Sequence, residues 1–320
     1  MIGAGLIGKK RALSLPKGKN GAKLAVICDI DKARADAFAA EFKCRAETDW
    51  KKVVSDPSID AVIVCTTNNN LSLIGAAAIA KGKHVLLEKP GARNLADFKK
   101  LEAAYSKSGK KSVVLFGYNH RYHPAMQKAK ALIDSGKYGP VLFIRAKYGH
   151  GARLGYEKEW RFDKEISGGG QLLDQGCHLI DLVNMFAGEL KYKFAHTDIL
   201  YWKTKLEDSA FLILKGPTAV ANLVTTCLEW KNVFSFEIML KTAKIQIDGL
   251  GRSYGTERLT LYTMSPEMGP PKTDEFEFSG DDNSWETENK IFLKKIREGD
   301  TGDEELKKAK YALSIINQAY

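Results

Sequence analysis

No apolar run in this chain is long enough for a membrane span; the longest, such as Ala61-Val62-Ile63-Val64-Cys65, have the length of a strand. The opening residues, Met1-Ile2-Gly3-Ala4-Gly5, carry no basic leader before an apolar core, so a signal peptide is not expected. Paired cysteines are lacking too. Cys28, Cys44, Cys65, Cys177 and Cys227 are odd in number, scattered and without a C-x-x-C spacing. That argues against a disulfide framework and against a zinc site, so no metal is expected and the reducing cytoplasm is the expected compartment. The net charge is +10, but the lysines come in ones and twos (Lys9-Lys10, Lys99-Lys100, Lys110-Lys111). A nucleic-acid groove needs a concentrated basic stripe with stacking aromatics, and none is visible. Neither nucleic acid nor a membrane is an expected partner.

What is present describes a globular protein: 320 residues, 44% hydrophobic and 28% charged, enough for two domains of ordinary size. Gly3-Ala4-Gly5-Leu6-Ile7-Gly8 fits G-x-G-x-x-G and runs into a helical stretch ending near Leu15-Pro16. A turn at Asn20-Gly21 leads to a strand, Leu24–Cys28, closing on Asp29. In a dinucleotide-binding turn the first glycine permits the tight bend, the second lets backbone approach a pyrophosphate, and the third allows close helix–strand packing. The new helix presents its N–H groups to the anion. Asp29 follows the third glycine by 21 positions, where a carboxylate hydrogen-bonds a ribose and repels a 2′-phosphate. The expected cofactor is therefore NAD, with NADP the alternative, held by Gly3, Gly5, Leu6, Ile7, Gly8 and Asp29. The fingerprint ordinarily follows a buried strand, yet only Met1 and Ile2 precede Gly3. The first strand is expected to be truncated, as in a fragment whose true start lies upstream.

Strand and helix patterns go on alternating: strand Ile59–Cys65, helix Leu71–Ala80, strand His84–Leu87, a helix capped by Asn94 with Asp97, and strand Ser112–Tyr118. Alternation of this kind implies a parallel sheet. Thr67, Asn68, Glu88, Lys89 and Asn119 then share its carboxyl edge with Asp29 and are candidate cofactor contacts.

From Asn119 the pattern changes. A helix starts near Pro124 and ends by Gly136, and strand Val141–Tyr148 follows. A loop then carries Tyr156, Trp160 and Arg161. Beyond Leu190 come Phe194–Tyr201, Ser209–Leu214, Ala219–Leu228, Val233–Leu240, Lys244–Asp248, Leu259–Met264 and Glu275–Phe278. Their period-2 pattern indicates a large, mostly antiparallel sheet with one covered face. Two terminal helices, Trp285–Ile296 and Glu304–Tyr320, close the chain. The expected fold is α/β: a Rossmann domain over 1–118, then an α+β domain over 119–320.

Gly168-Gly169-Gly170 opens a helical pattern. At about 100° per residue, Leu172, Gly176, Leu179, Ile180, Val183 and Phe186 share one face, and Asp174, His178 and Asp181 the other. A carboxylate–imidazole pair on a helix anchored in the core can present a general base in a fixed pose; the plainer alternative is an exposed Asp–His pair. The glycines are expected to leave room for a loop or ligand at the helix N-terminus.

Gly3 to Gly8, the Glu88-Lys89-Pro90 element after Gly82-Lys83-His84-Val85-Leu86-Leu87, and Gly169-Gly170 through Asp174-x-Gly176-x-His178 together resemble the Gfo/Idh/MocA oxidoreductase family, the glucose–fructose oxidoreductase and inositol dehydrogenase group. The resemblance covers nearly the whole length. It implies that Lys89 lies beside the nicotinamide, with Asp174 and His178 facing it, these three being catalytic and Asp181 structural. It implies hydride transfer between NAD(P) and a secondary hydroxyl of a sugar, polyol or sugar nucleotide. A homodimer or homotetramer, assembled through an exposed apolar sheet face, is implied as well. Thr67-Asn68-Asn69-Asn70 stands where the family often has Pro and then His, a version that looks like members acting on sugars or sugar nucleotides. The stretches Tyr118–Pro124 and Gly149–Arg161 point the same way, which makes Arg121, Tyr156, Trp160 and Arg161 candidate substrate contacts. Cofactor binding and inter-domain hydrogen bonding are the alternatives for the histidines and arginines there. The last helix stops earlier than is usual. Two alternatives share these residues: a glycosidase that keeps NAD bound and oxidises transiently, and a nucleotide-binding relative without catalysis.

Overall fold

The computed structural model of the chain describes residues 1–18, 21–267 and 269–320, so Asn20 of the expected Asn20-Gly21 turn lies outside the described residues. The chain divides into two compact units. One comprises Met1–Asn119, Glu165–Gly168 and Trp285–Lys310, the other His120–Lys164, Gly169–Ser284 and Tyr311–Tyr320.

In the first unit, β1 (Val26–Cys28) pairs in parallel with β2 (Arg45–Glu47), and β3 (Ala61–Val64), β4 (His84–Glu88) and β5 (Val114–Gly117) form a second parallel set. Ile2 joins the two, bridging Cys28 on one side and Val64 on the other. The Ile2 N–H donates to Ile63 O at 2.9 Å, Cys65 N–H donates to Ile2 O at 2.7 Å, and Gly3 N–H to Cys28 O at 2.8 Å. Met1 and Ile2 thus occupy the central position that the sequence assigns to a truncated strand, and the ladder groups facing them are paired. The resulting order, β2-β1-Ile2-β3-β4-β5, is the doubly wound Rossmann arrangement.

Its helices are α1 (Leu6–Leu13), α2 (Lys32–Phe42), α3 (Trp50–Ser55), α4 (Asn68–Ala80) and α5 (Leu95–Lys107). The segment between Asp29 and Ile59, which the sequence pattern leaves undivided, holds α2, β2 and α3. Asp31 starts α2 by accepting from the Arg34 N–H at 3.1 Å. Asn94 caps α5 as expected, accepting from Asp97 N–H at 2.9 Å. Ile27, Ile63, Leu86 and Leu115 form the core with Phe38 and with Phe292 from late in the chain.

The second unit is built on eight strands: β6 (Val141–Gly149), β7 (Lys191–Asp198), β8 (Ser209–Lys215), β9 (Val220–Thr226), β10 (Val233–Leu240), β11 (Ala243–Asp248), β12 (Glu257–Thr263) and β13 (Lys272–Phe278). Their order is β13-β12-β11-β10-β6-β9-β8-β7, antiparallel throughout except for the parallel pair β6–β9. Alternate residues, Phe234, Phe236 and Ile238 with Ile245, Ile247, Leu259 and Leu261, point into the core. The opposite face is mixed: Met239, Phe143, Val220, Val224, Phe211, Ile213 and Phe194 stand there in register with charged residues. Glu237 holds Arg145 and Lys244 there, and Arg258 pairs with Glu277; exposed apolar rings appear at Phe194 and Phe211.

Strand β7 begins and ends three residues earlier than the sequence suggested. The Asp208 carboxylate accepts the N–H groups of Leu200, Tyr201 and Trp202 at 2.9–3.0 Å, so this backbone satisfies its donors on a side chain rather than on a neighbouring strand. The remaining helices are α6 (Pro124–Asp134), with Pro at its first turn, α7 (Lys164–Ser167), α8 (Cys177–Ala187), α9 (Ser284–Glu298) and α10 (Asp303–Ala319).

Helix α8 departs from the amphipathic expectation. Every residue from Cys177 to Val183 is buried, so the face carrying His178 and Asp181 is as covered as the apolar one. A single π turn, Leu172–Gly176, precedes it and widens the helix where Asp174 sits. The three glycines before the turn make room for the protein's own atoms. A Cβ would stand 2.2 Å from Arg93 O at Gly168, 2.3 Å from the Tyr320 hydroxyl at Gly169, and 2.2 Å from Glu207 O at Gly170.

Candidate functional site

The two units each carry a set of candidate residues. In the first, α1 starts on Gly5 with no side-chain cap and no acidic residue in its first turn, which leaves the helix N-terminus suited to an anion. The three glycines differ in what they accommodate. Gly3 has φ +103°, and a Cβ there would fall 2.4 Å from Cys65 O; at Gly8 it would fall 2.0 Å from Gly3 O. A Cβ at Gly5 would meet nothing within 4 Å. The outer glycines are demanded by packing, and the middle one keeps a space open at the helix start, the shape a pyrophosphate needs. Leu6 is exposed beside it and Ile7 half-buried.

Asp29, at the end of β1, is buried and accepts from Ala4 N–H at 2.8 Å and from Asp31 N–H at 3.0 Å. Its carboxylate is thereby fixed against the glycine turn, with Arg34 Nη1 3.5 Å away. Both features fit a dinucleotide whose adenosine ribose meets Asp29.

The other first-unit candidates lie at the ends of strands or starts of helices. Thr67 is the N-cap of α4, its hydroxyl 2.7 Å from Asn69 Oδ1, and Asn68 Nδ2 donates to Ser167 O at 2.8 Å. Glu88 ends β4 with its carboxylate engaged by Arg11 Nε at 2.7 Å. Arg11 is fully buried, with Glu288 Oε2 2.6 Å from Nη1 and the Trp285 ring 4.5 Å from Cζ. That engagement gives Glu88 a structural partner beside any role toward a cofactor. Lys89 follows, half-buried, on a cis peptide to Pro90. Asn119 is buried and opens a 3₁₀ turn through Tyr122.

In the second unit, Asp174 stands on the π turn and His178 one turn further along α8. Asp174 keeps part of its side chain exposed, with Arg161 Nε 3.6 Å from Oδ2. Arg161 also pairs with Glu159 at 2.9 Å and lies over the Trp160 ring at 4.9 Å. Tyr156 packs edge-on against Phe162 and His150. Burial, and next the Asp174 charge, push its hydroxyl pKa well up, so it stays protonated at neutral pH. Asp174, Tyr156, Trp160 and Arg161 are thus gathered in one region. Arg121 is not among them: its guanidinium grips Asp181 with two hydrogen bonds, Nε to Oδ2 at 2.6 Å, both side chains being buried.

His178 is buried with its ring stacked on that of His120, centroids 3.9 Å apart and planes 25° from parallel. Tyr148 stands edge-on to His178 at 6.2 Å; burial, then Tyr254, hold its hydroxyl pKa well above the ordinary value. The sequence patterns do not single out Tyr148 or Glu207. Glu207 accepts from Gly170 N–H and Leu172 N–H at 3.1 Å and from the Tyr320 hydroxyl at 2.6 Å, beneath the π turn. The adjacent acids Glu207-Asp208, ahead of an apolar strand, were the one available signal. Among the described residues no three His, Cys, Asp or Glu side chains gather as a metal site.

These features define a class: a Rossmann dinucleotide-binding unit with a second unit built on a large, mostly antiparallel sheet. Residues 1–116 match the family model described as "Oxidoreductase family, NAD-binding Rossmann fold", and residues 126–246 match that of the GFO/IDH/MocA C-terminal domain. The chain belongs to the Gfo/Idh/MocA oxidoreductase family. It is similar to a levoglucosan dehydrogenase of Pseudarthrobacter phenanthrenivorans, 32% identical over 200 residues, which is 59% of this chain and 50% of the relative. An inositol 2-dehydrogenase of Salmonella paratyphi B is 29% identical over 150 residues, 46% of this chain and 44% of the relative. The chain spans about half the length of the curated relatives it matches. Among solved structures, a levoglucosan dehydrogenase in complex with NADH and levoglucosan superposes with a TM-score of 0.89 at 23% identity, covering 99% of this chain and 94% of that one. At that identity the likeness establishes the fold.

Proposed function

We propose that this chain is an NAD-dependent oxidoreductase acting on a secondary hydroxyl of a sugar, polyol or sugar nucleotide. The observation that carries the reading is the glycine turn, packed at Gly3 and Gly8 and open at Gly5. The names of the relatives, levoglucosan and inositol dehydrogenases, support the substrate class. NAD, when bound, supplies the hydride acceptor. Asp29 favours NAD over NADP, because a carboxylate repels a 2′-phosphate.

In this reading Thr67, Asn68, Glu88 and Asn119 belong to the cofactor side, while Tyr156, Trp160 and Arg161 orient substrate. His178 accepts the hydroxyl proton, the general-base role that an imidazole most often takes. The Asp174 carboxylate orients substrate or imidazole and favours the protonated ring. Lys89 offers a compact cation toward the oxygen as its proton leaves. The reading includes a cytoplasmic homodimer or homotetramer, which light scattering would size.

Purified protein, given NAD and a panel led by levoglucosan and myo-inositol, should gain absorbance at 340 nm. Lys89→Ala and His178→Ala should each lower kcat by roughly 10²–10⁴-fold while NAD affinity stays within a few-fold. Full turnover in both variants would end the catalytic assignment.

A further inference from the structure

The stack of His120 on His178 has a second fastening. His120 and Arg121 are neighbours on the 3₁₀ turn that follows β5, and His178 and Asp181 are one turn apart on α8. The two short segments meet twice, ring on ring at 3.9 Å and guanidinium on carboxylate at 2.6 Å, with all four side chains buried. A bidentate ion pair fixes both separation and rotation. It therefore sets the register in which one imidazole covers the face of the other.

We propose that His120 is a positioning residue for His178: clamped in register by the Arg121–Asp181 pair, its ring fixes the plane of the His178 imidazole and confines the stack to one positive charge. The inference rests on the proton-accepting role proposed for His178. Two cationic rings at this separation, out of water, repel strongly, whereas a neutral ring stacks well on a cationic one. The pair therefore titrates as a unit, taking up one proton where two separate histidines would take two.

The groups around the rings are compatible with that. Tyr148 of β6 lies 5.2 Å from the His120 ring and is held protonated, with Tyr254 hydrogen-bonded to it. His123 meets His120 edge-on at 5.6 Å, with Nδ1 2.9 Å from the Glu257 carboxylate and Asp282 3.9 Å from Nε2. Phe234 closes another edge at 6.1 Å. Asp174 and Cys177 also act on Tyr148, and the charge of Asp181 is matched by Arg121.

His120→Ala and His120→Phe test this. The first removes the stack; the second keeps a flat ring without a proton site. His120→Ala should lower kcat about tenfold or more while KM for NAD stays within about twofold, and should move the acid limb of the kcat profile. His120→Phe should recover most of the lost kcat. Unchanged kcat and pH profile in His120→Ala, or no recovery in His120→Phe, would overturn the proposal.

A second readout does not need turnover. The chain has six histidines, so ¹³Cε1-histidine spectra can follow each ring. In the wild type the His120 and His178 signals should move within one transition and share a single proton; in His120→Phe, His178 should titrate alone. Two full, independent titrations would contradict the shared charge. Turnover that persists in His178→Ala would instead sink the base assignment while leaving the coupled titration in place.

Discussion

Replacing each of two glycines in the nucleotide-binding turn by alanine should separate folding from cofactor binding. At Gly8 the new Cβ would stand 2.0 Å from Gly3 O, and real Cβ contacts essentially never fall below 3.0 Å. The backbone must open by about 1 Å at the centre of the sheet, an overpacking cost of about 2–3 kcal/mol. For a chain of this size that lowers the unfolding midpoint by roughly 3–5 °C. At Gly5 the backbone is extended, φ −73° and ψ −170°, and an added Cβ would meet nothing within 4 Å. An alanine there fits without strain, so the midpoint should stay within about 2 °C of wild type. Its methyl group, however, fills the space reserved for the pyrophosphate. NAD should bind about 10–100-fold more weakly, each tenfold being about 1.4 kcal/mol. Thermal unfolding and calorimetric NAD titration at fixed salt measure the two effects. Wild-type NAD affinity in Gly5→Ala, or an unshifted midpoint in Gly8→Ala, would refute the division of roles.

Arg11→Met leaves Glu88 and Glu288 buried without their shared cation and should cost about 3–5 kcal/mol in chemical denaturation, with Lys89-dependent turnover falling as Glu88 moves. Glu207→Ala strands the Gly170 and Leu172 N–H groups beneath the π turn and should cost about 1–3 kcal/mol by the same measurement. Burial raises the thiol pKa of Cys28 to about 11 and that of Cys227 to about 12. A raised folded pKa stabilises fully below the ordinary thiol value near 9 and is lost as pH climbs through 11–12. Urea midpoints of Cys28→Ala should therefore decline less between pH 9 and 11 than those of wild type; parallel declines would contradict the assignment.

Much of the fold could be read from the sequence because the signals were local. The glycine spacing at Gly3, Gly5 and Gly8, the capping pair Asn94 and Asp97, and the alternation in Val233–Leu240 each act within a few residues, and each reappears in the structure. What escaped depended on partners distant in the chain. Strand β7 stops at Asp198 because Asp208 captures the next backbone donors, which no periodicity records. The face of α8 bearing His178 looks polar by period, yet His120 and Arg121 cover it. The π turn at Leu172–Gly176 shifts the helix phase between the apolar positions on either side. The glycine triplet signals close approach, but the approaching atoms belong to Arg93, Tyr320 and Glu207, each remote in the chain.

Following deuterium tests the central claim most directly. A sugar from the panel, deuterated at its ring CH–OH carbons, is incubated with wild-type protein and NAD, and the dinucleotide is weighed by mass spectrometry. Hydride transfer to the nicotinamide predicts reduced dinucleotide one mass unit heavier than NADH, formed in proportion to ketone and suppressed in His178→Ala. Sugar turnover with no labelled dinucleotide, or label undiminished in His178→Ala, would contradict the account.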